Sequence, residues 1–355
     1  MLRYPSGSPD GVNGGHEART VEPRTERSPR KTTSGFTLRR TGPWLLRLGG
    51  LIVFPILVWI GIDFADVGRS LHGARIELVI AALALRQAAV LLGVWRWRML
   101  AEAVGIRYPR FRDYLVLFYL GLFAGLALPQ TAASFAPTLF MAQDGHPWQK
   151  SVGSIVLDRI MEGLLALVFA VAAAIYLFPV VPRLSISVIV VGGCILVAVG
   201  AAYAWRRQLG QALEALTARY PLLKRWSDGL QIPGLAKAVD EQRARLGRAA
   251  VLGVLITFMN AAFVVMAAVA LGIEASWVFV AMAWGVTALV IMLPISVLGL
   301  GPREGMLVVL FTAAGEPREE ALALGLLLFA LGLAVRAPSV IVWATRRAKV
   351  ATAAA

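Results

Sequence analysis

The 355-residue chain is 58% hydrophobic and only 16% charged, with a mean hydropathy of +0.70. That excludes an ordinary soluble domain, which is about half apolar and a quarter charged. A single cysteine (Cys194) and three histidines (His16, His72, His146), with no HExxH, paired-His or P-loop pattern, argue against a disulfide scaffold, a metalloenzyme or an NTPase.

No cofactor is therefore expected. The net charge of +14 gathers beside apolar segments, as the positive-inside rule produces, so nucleic acid is not an expected partner. The fold expected is all-α and polytopic in the membrane.

Residues 1–42 are rich in Arg, Ser, Thr, Pro and Gly and read as a disordered basic cytoplasmic tail. Arg39-Arg40 precedes an apolar stretch as in a twin-arginine signal. Thr41-Gly42-Pro43 fits that poorly, so a retained first span over 43–62 is the better reading. A second span covers 76–94, with Arg86 at its middle. The loop assigned to 95–113 carries Arg96, Arg98, Arg107, Arg110 and Arg112 against Glu102 and Asp113, a cytoplasmic bias.

An apolar stretch over 113–142 is broken at Leu128-Pro129-Gln130 and ends in the turn Asp144-Gly145-His146-Pro147. Spans follow at 151–178 and 184–205. The polar stretch 206–248 is basic and reads as a cytoplasmic loop with amphipathic helix. A span at 249–271 leads to the broken segment 277–314, and a last span, 321–343, ends in a cytoplasmic tail over 346–355. The half-segments at 114–128, 131–142 and 303–315 would be roughly 18–22 Å long at 1.5 Å per residue, short of the hydrocarbon core of about 30 Å. Two short spans or one re-entrant hairpin satisfy the charge bias equally in each place. Length and the Pro/Gly breaks favour re-entrant hairpins, giving about six full spans plus two hairpins.

The order span, span, broken hairpin, span occurs twice, over about 43–178 and 184–343. Leu128-Pro129 and Leu293-Pro294 mark the two breaks. Gly145-His146-Pro147 and Gly315-Glu316-Pro317 mark the two turns. An odd number of spans per copy inverts the second copy, the design in which transporters hold substrate near the midplane.

Charges inside apolar segments mark the candidate site. Asp158, Arg159 and Glu162 lie in the span 151–178, with Arg159 and Glu162 on one helix face. Arg303 and Glu304 sit in the second break, within Gly299-Leu300-Gly301-Pro302-Arg303-Glu304-Gly305. Three glycines and a proline open the helix there, beside helix-end dipoles. Pro129, Pro294, Gly299, Gly301 and Gly305 are the expected hinge residues. Arg86 and Arg336 could snorkel or pair structurally instead. Guanidinium groups suit bidentate contact with phosphate, so the substrate-binding set expected is Arg303, Glu304, Arg159, Glu162, Asp158 and Arg86.

Three stretches resemble the lysylphosphatidylglycerol synthase transmembrane region, or flippase-like domain, family. They are Arg96-Trp97-Arg98-Met99-Leu100, the segment Ile155–Glu162 with its acid-Arg-x-x-acid pattern, and the Gly299–Gly305 signature. The resemblance covers roughly 43–345. It departs at Ala133, Ser134 and Pro137, where the family usually carries a Gly-acid pair and then an arginine. The resemblance implies movement of a polar-headed membrane lipid in the plasma (inner) membrane, with both termini cytoplasmic. In some members the region is fused to a soluble aminoacyl-transfer domain, for which this chain leaves no room, so lipid aminoacylation is not expected; with no catalytic motif in the sequence either, the chain is not expected to be an enzyme. Membrane lipids are the expected partners, and a homo-oligomer is compatible with the sequence. The alternative from another class is a membrane-embedded accessory subunit or enzyme of lipid or glycan assembly. Asp158 or Glu304 would then be its acid–base candidate.

Overall fold

The computed structural model describes residues 64–128, 130–205, 241–292 and 301–354, with scattered residues between 208 and 219. The tail 1–42, the first span 43–62, most of the loop 206–248 and the hinge candidates Pro129, Pro294 and Gly299 lie outside the described residues.

The described residues form helices and no strand. In chain order these are α1 (Phe64–His72), α2 (Ile76–Ala103), α3 (Phe111–Ala124), α4 (Gln130–Ala133), α5 (Ala136–Gln143), α6 (Trp148–Tyr176) and α7 (Pro182–Ala204). They continue with α8 (Arg243–Ala270), α9 (Trp277–Met292), α10 (Pro302–Ala313) and α11 (Arg318–Ala354). Among them α2, α7, α8 and α11 are long and apolar enough to cross a membrane. α6 is also of spanning length, at 29 residues, but carries its four charges, Lys150, Asp158, Arg159 and Glu162, in its N-terminal half.

Large apolar side chains point away from the protein along these helices: Val197 is 72% exposed, Val251 70% and Phe258 62%. At about 25 cal/mol per Å² such faces would oppose solubility in water, and they suit contact with lipid instead. With this all-helical architecture, the chain is a polytopic membrane protein.

The second span is longer than its hydropathy suggests. The expected end at residue 94 is wrong, because α2 continues to Ala103 and takes Arg96 and Arg98 out of the expected loop. Arg96 is only 5% exposed. An arginine reads as the end of a span from sequence, but here its charge is met inside the protein by an acid on another helix.

The two broken regions are built of short pieces. α3, α5, α9 and α10 have 14, 8, 16 and 12 residues, so at 1.5 Å per residue none reaches the roughly 30 Å of a hydrocarbon core.

α2 and α8, the second long helix of each expected repeat, pack against one another more extensively than any other pair. They are antiparallel. The Arg75 N–H, at the start of α2, donates to the Ala270 carbonyl at the end of α8, 2.8 Å away. At the opposite end, Glu102 and Arg245 approach to 3.8 Å. The remaining packing is matched when the halves are exchanged. α6 packs on α9 as α11 packs on α3, and α5 on α6 as α10 on α11. α2 likewise packs on α6 as α8 packs on α11.

The turns repeat hydrogen bond for hydrogen bond. After α2 and α8 the chain turns at Gly105 (φ 87°) and Gly272 (φ 74°), and before α6 and α11 at Gly145 (φ 85°) and Gly315 (φ 84°). In each, the glycine N–H donates three residues back and the next N–H five residues back. His146 reaches Met141 at 3.0 Å, Glu316 reaches Phe311 at 2.9 Å, Ile106 reaches Ala101 at 2.9 Å, and Ile273 reaches Ala268 at 3.1 Å. The 5-back bond is that of a Schellman helix end, whose left-handed residue is usually glycine.

Candidate functional site

The buried charges converge where the two halves meet. Two neighbouring chambers, of about 160 and 490 Å³, share Arg86, Arg96, Arg159, Glu162, Asn260 and Arg336 in their walls. Asp158 and Ser134 line the smaller chamber, and Arg303, Thr257 and Trp284 the larger. α2, α6, α8, α10 and α11 each contribute a polar side chain, so the site exists only once both halves are assembled.

The first cluster joins α2 to α6. Arg96 Nε donates to Asp158 Oδ1 at 3.0 Å, with both side chains under a tenth exposed. Arg159 reaches Asp158 Oδ2 at 2.7 Å and Glu162 Oε2 at 2.5 Å. Arg96 also lies 3.8 Å from Glu162. Two guanidiniums thus meet two carboxylates. Asp158 is 3% exposed and held from both sides, so it positions the arginines, whereas Arg159 and Glu162, about a third exposed, face the chambers.

The second cluster is at the start of α10. Gly301 adopts φ 93°, and its N–H donates to Glu304 Oε2 at 2.6 Å. This is the reverse half of a capping box, the third helical residue reaching back to the cap amide. The other carboxylate oxygen of Glu304 accepts from Arg303 Nε at 3.0 Å and Nη2 at 2.5 Å. Arg303 is thereby aimed into the larger chamber, its guanidinium 5.8 Å from the Phe329 ring centroid. Glu304 is 2% exposed, lies behind Arg303 and lines neither chamber. Gly325 of α11 permits this, since a Cβ there would come within 2.9 Å of Glu304 Cγ.

The remaining two arginines have neutral partners. Arg86 Nη1 donates to Asn260 Oδ1 at 2.6 Å, and Arg336 Nη1 to the Gly332 carbonyl at 2.9 Å. The buried Arg336 Nε has no partner among the described residues.

The structure brings all six expected binding residues to one cavity region, with Asp158 and Glu304 in supporting positions. Of the expected hinge glycines, Gly301 has the left-handed backbone (φ 93°) that glycine adopts without strain; Gly305 lies within α10 and donates to the Gly301 carbonyl at 2.8 Å as an ordinary helical residue. Sequence reasoning missed three contributors. Hydropathy places Arg96 in a loop, does not single out Asn260, and reads Arg336 as a structural charge. The polar Asn260 in the middle of an apolar span was the one signal that could have pointed to α8.

The model of the family described as "Lysylphosphatidylglycerol synthase TM region" matches residues 45–338. The chain belongs to that family. The match spans both halves and every arginine of the cavity. No curated relative and no solved structure matches the chain.

Within this family member the charges are divided between the halves rather than duplicated. Counting back from the two equivalent turn glycines, Gly145 and Gly315, Arg303 and Glu304 correspond to Ala133 and Ser134. Counting forward, Arg159 and Glu162 correspond to Phe329 and Gly332. Each half thus carries the charges that the other lacks.

Proposed function

We propose that the chain translocates a membrane lipid with a phosphate-bearing headgroup, and that the cavity between its halves receives that headgroup. The observation that carries this reading is the arginine-lined cavity at the junction of two antiparallel, repeat-related helix sets. Its larger chamber, about 490 Å³, falls within the roughly 300–1,000 Å³ of small-ligand sites. Guanidiniums at the wall match phosphate oxygens in planar, bidentate geometry. Alternating exposure of a midplane site by two inverted halves is the established logic of such repeats.

The orientation follows from charge. One end of the molecule carries Glu102 with Arg245 and Asp144 with Arg346, and the chain around it is rich in Arg107, Arg110, Arg112 and Lys150. The turns of the opposite end carry Glu274, Glu316, Glu319 and Glu320. The basic end is cytoplasmic by the positive-inside rule, which puts the C-terminus of α11 on that side of the plasma membrane.

An embedded enzyme is the weaker reading. A general base needs a free carboxylate within reach of substrate. Asp158 is engaged by two guanidiniums, and Glu304 by a guanidinium and a backbone N–H.

The test is reconstitution in vesicles with a headgroup-labelled phospholipid. Arg303→Ala is expected to abolish protein-dependent exchange of the label between leaflets. Exchange at the unsubstituted rate in that variant would sink the assignment.

A further inference from the structure

Resting on the lipid-handling reading, we infer that the cavity selects a doubly charged phosphate group, a phosphomonoester or diphosphate, over a singly charged phosphodiester or an aminoacylated headgroup. The juxtaposition behind this is of five guanidiniums with three carboxylates.

Arg96 and Arg159 are matched by Asp158 and Glu162, and Arg303 is matched by Glu304. Arg86 and Arg336 are left over. Each makes its hydrogen bond to a neutral oxygen, and both line both chambers. The parts of the two hairpins outside the described residues, 129 and 293–300, contain no Asp or Glu that could complete the balance. Among the described residues the surplus around the two chambers is therefore two positive charges.

An uncompensated charge inside a membrane protein is expensive, and a partner that neutralises it is bound in proportion. A phosphomonoester carries about −1.5 to −2 at neutral pH, which offsets the surplus. A diester such as phosphatidylglycerol carries one charge and leaves one arginine unmatched. A lysine-esterified headgroup is net cationic and adds to the surplus. Arg336 Nε, buried and without a partner among the described residues, is a donor held ready for such an oxygen. Guanidinium geometry favours the planar pair of phosphate oxygens over a point contact.

Charge on the ligand and its attachment to a lipid are separate matters. The experiment therefore uses the full chain in phosphatidylcholine nanodiscs, with phosphatidic acid, phosphatidylglycerol and lysylphosphatidylglycerol in competition and retained lipid read by mass spectrometry. A second arm titrates inorganic pyrophosphate and reads the shift in melting temperature. Phosphatidic acid is expected to bind about tenfold or more tightly than phosphatidylglycerol, with the lysyl lipid weakest. Arg86→Gln and Arg336→Gln are each expected to shrink that ratio severalfold, while Arg86→Lys and Arg336→Lys keep most of it. Equal or tighter binding of either other lipid in the unsubstituted protein overturns the dianion inference and leaves lipid handling standing. Retention of none of the three lipids overturns the lipid-handling reading itself. Pyrophosphate binding as tight as that of phosphatidic acid, with the same dependence on Arg86 and Arg336, upholds the charge selection and removes the lipid as its source.

Discussion

Arg96 of α2 and Asp158 of α6, 62 residues apart, meet at 3.0 Å with side chains only 7% and 4% exposed. The pair ties two long helices together beside the cavity. Removing one partner of such a pair leaves a buried charge, which costs about 3–5 kcal/mol, whereas replacing both with apolar groups is often near neutral. Asp158→Asn alone is therefore expected to lower the melting temperature of the purified protein sharply. Arg96→Met with Asp158→Leu is expected to recover much of it. Equal melting temperatures for Asp158→Asn and the unsubstituted protein would show that the pair contributes nothing to stability.

Gly301 holds φ at 93° and ψ at −67° where α10 begins. A side chain there is strained by roughly 1–3 kcal/mol. Gly301→Ala is expected to destabilise the chain by about that amount and to disturb the amide that orients Glu304. Gly305→Ala, in an ordinary helical position, is expected to be tolerated. Comparison of the two variants by thermal unfolding in detergent separates backbone strain from mere loss of glycine.

Cysteine accessibility tests the inverted orientation. With Cys194 replaced by serine, a cysteine introduced at His146 is expected to react with a membrane-impermeant thiol reagent from the cytoplasmic side only. One introduced at Glu316 is expected to react from the opposite side only. Labelling of both from one side would exclude oppositely oriented halves.

The basic end is fastened by a small cluster. Tyr108 donates to Asp144 at 3.0 Å, and Arg346 of α11 approaches the other oxygen of Asp144 at 3.2 Å, its guanidinium 4.7 Å from the Phe140 ring centroid. Burial, and then the neighbouring Asp144 carboxylate, push the Tyr108 phenol well above its usual value near 10. A folded-state value raised above the unfolded one contributes stability that is complete below pH ~10 and declines as pH rises toward the folded value. Tyr108→Phe is expected to flatten the loss of stability above pH ~10, since it has no proton to release. The same slope of melting temperature against pH in both proteins would remove Tyr108 as the cause.

Much of this was legible in the chain. The membrane class follows from composition, since a 58% apolar chain with few charges cannot be solvated by water. The breaks follow from proline and glycine, and the two Gly-x-Pro turns were visible as a repeated motif because a left-handed helix end restricts the residue at its turn. Arg303 and Glu304 stood out because charge inside an apolar run is expensive wherever it is placed.

Tertiary structure decided the partners. Sequence ends the span at residue 94, short of Arg96, because local hydropathy registers a charge but not the acid that meets it on α6. It reads Arg336 as structural, because only the assembled cavity shows a guanidinium with no carboxylate near it among the described residues. It grouped Glu304 with the binding residues, although the folded start of α10 turns that side chain onto the Gly301 amide, behind Arg303. Which charges are spent on one another and which remain for a ligand depends on distances between helices far apart in the chain, and those distances exist only after the two halves have packed.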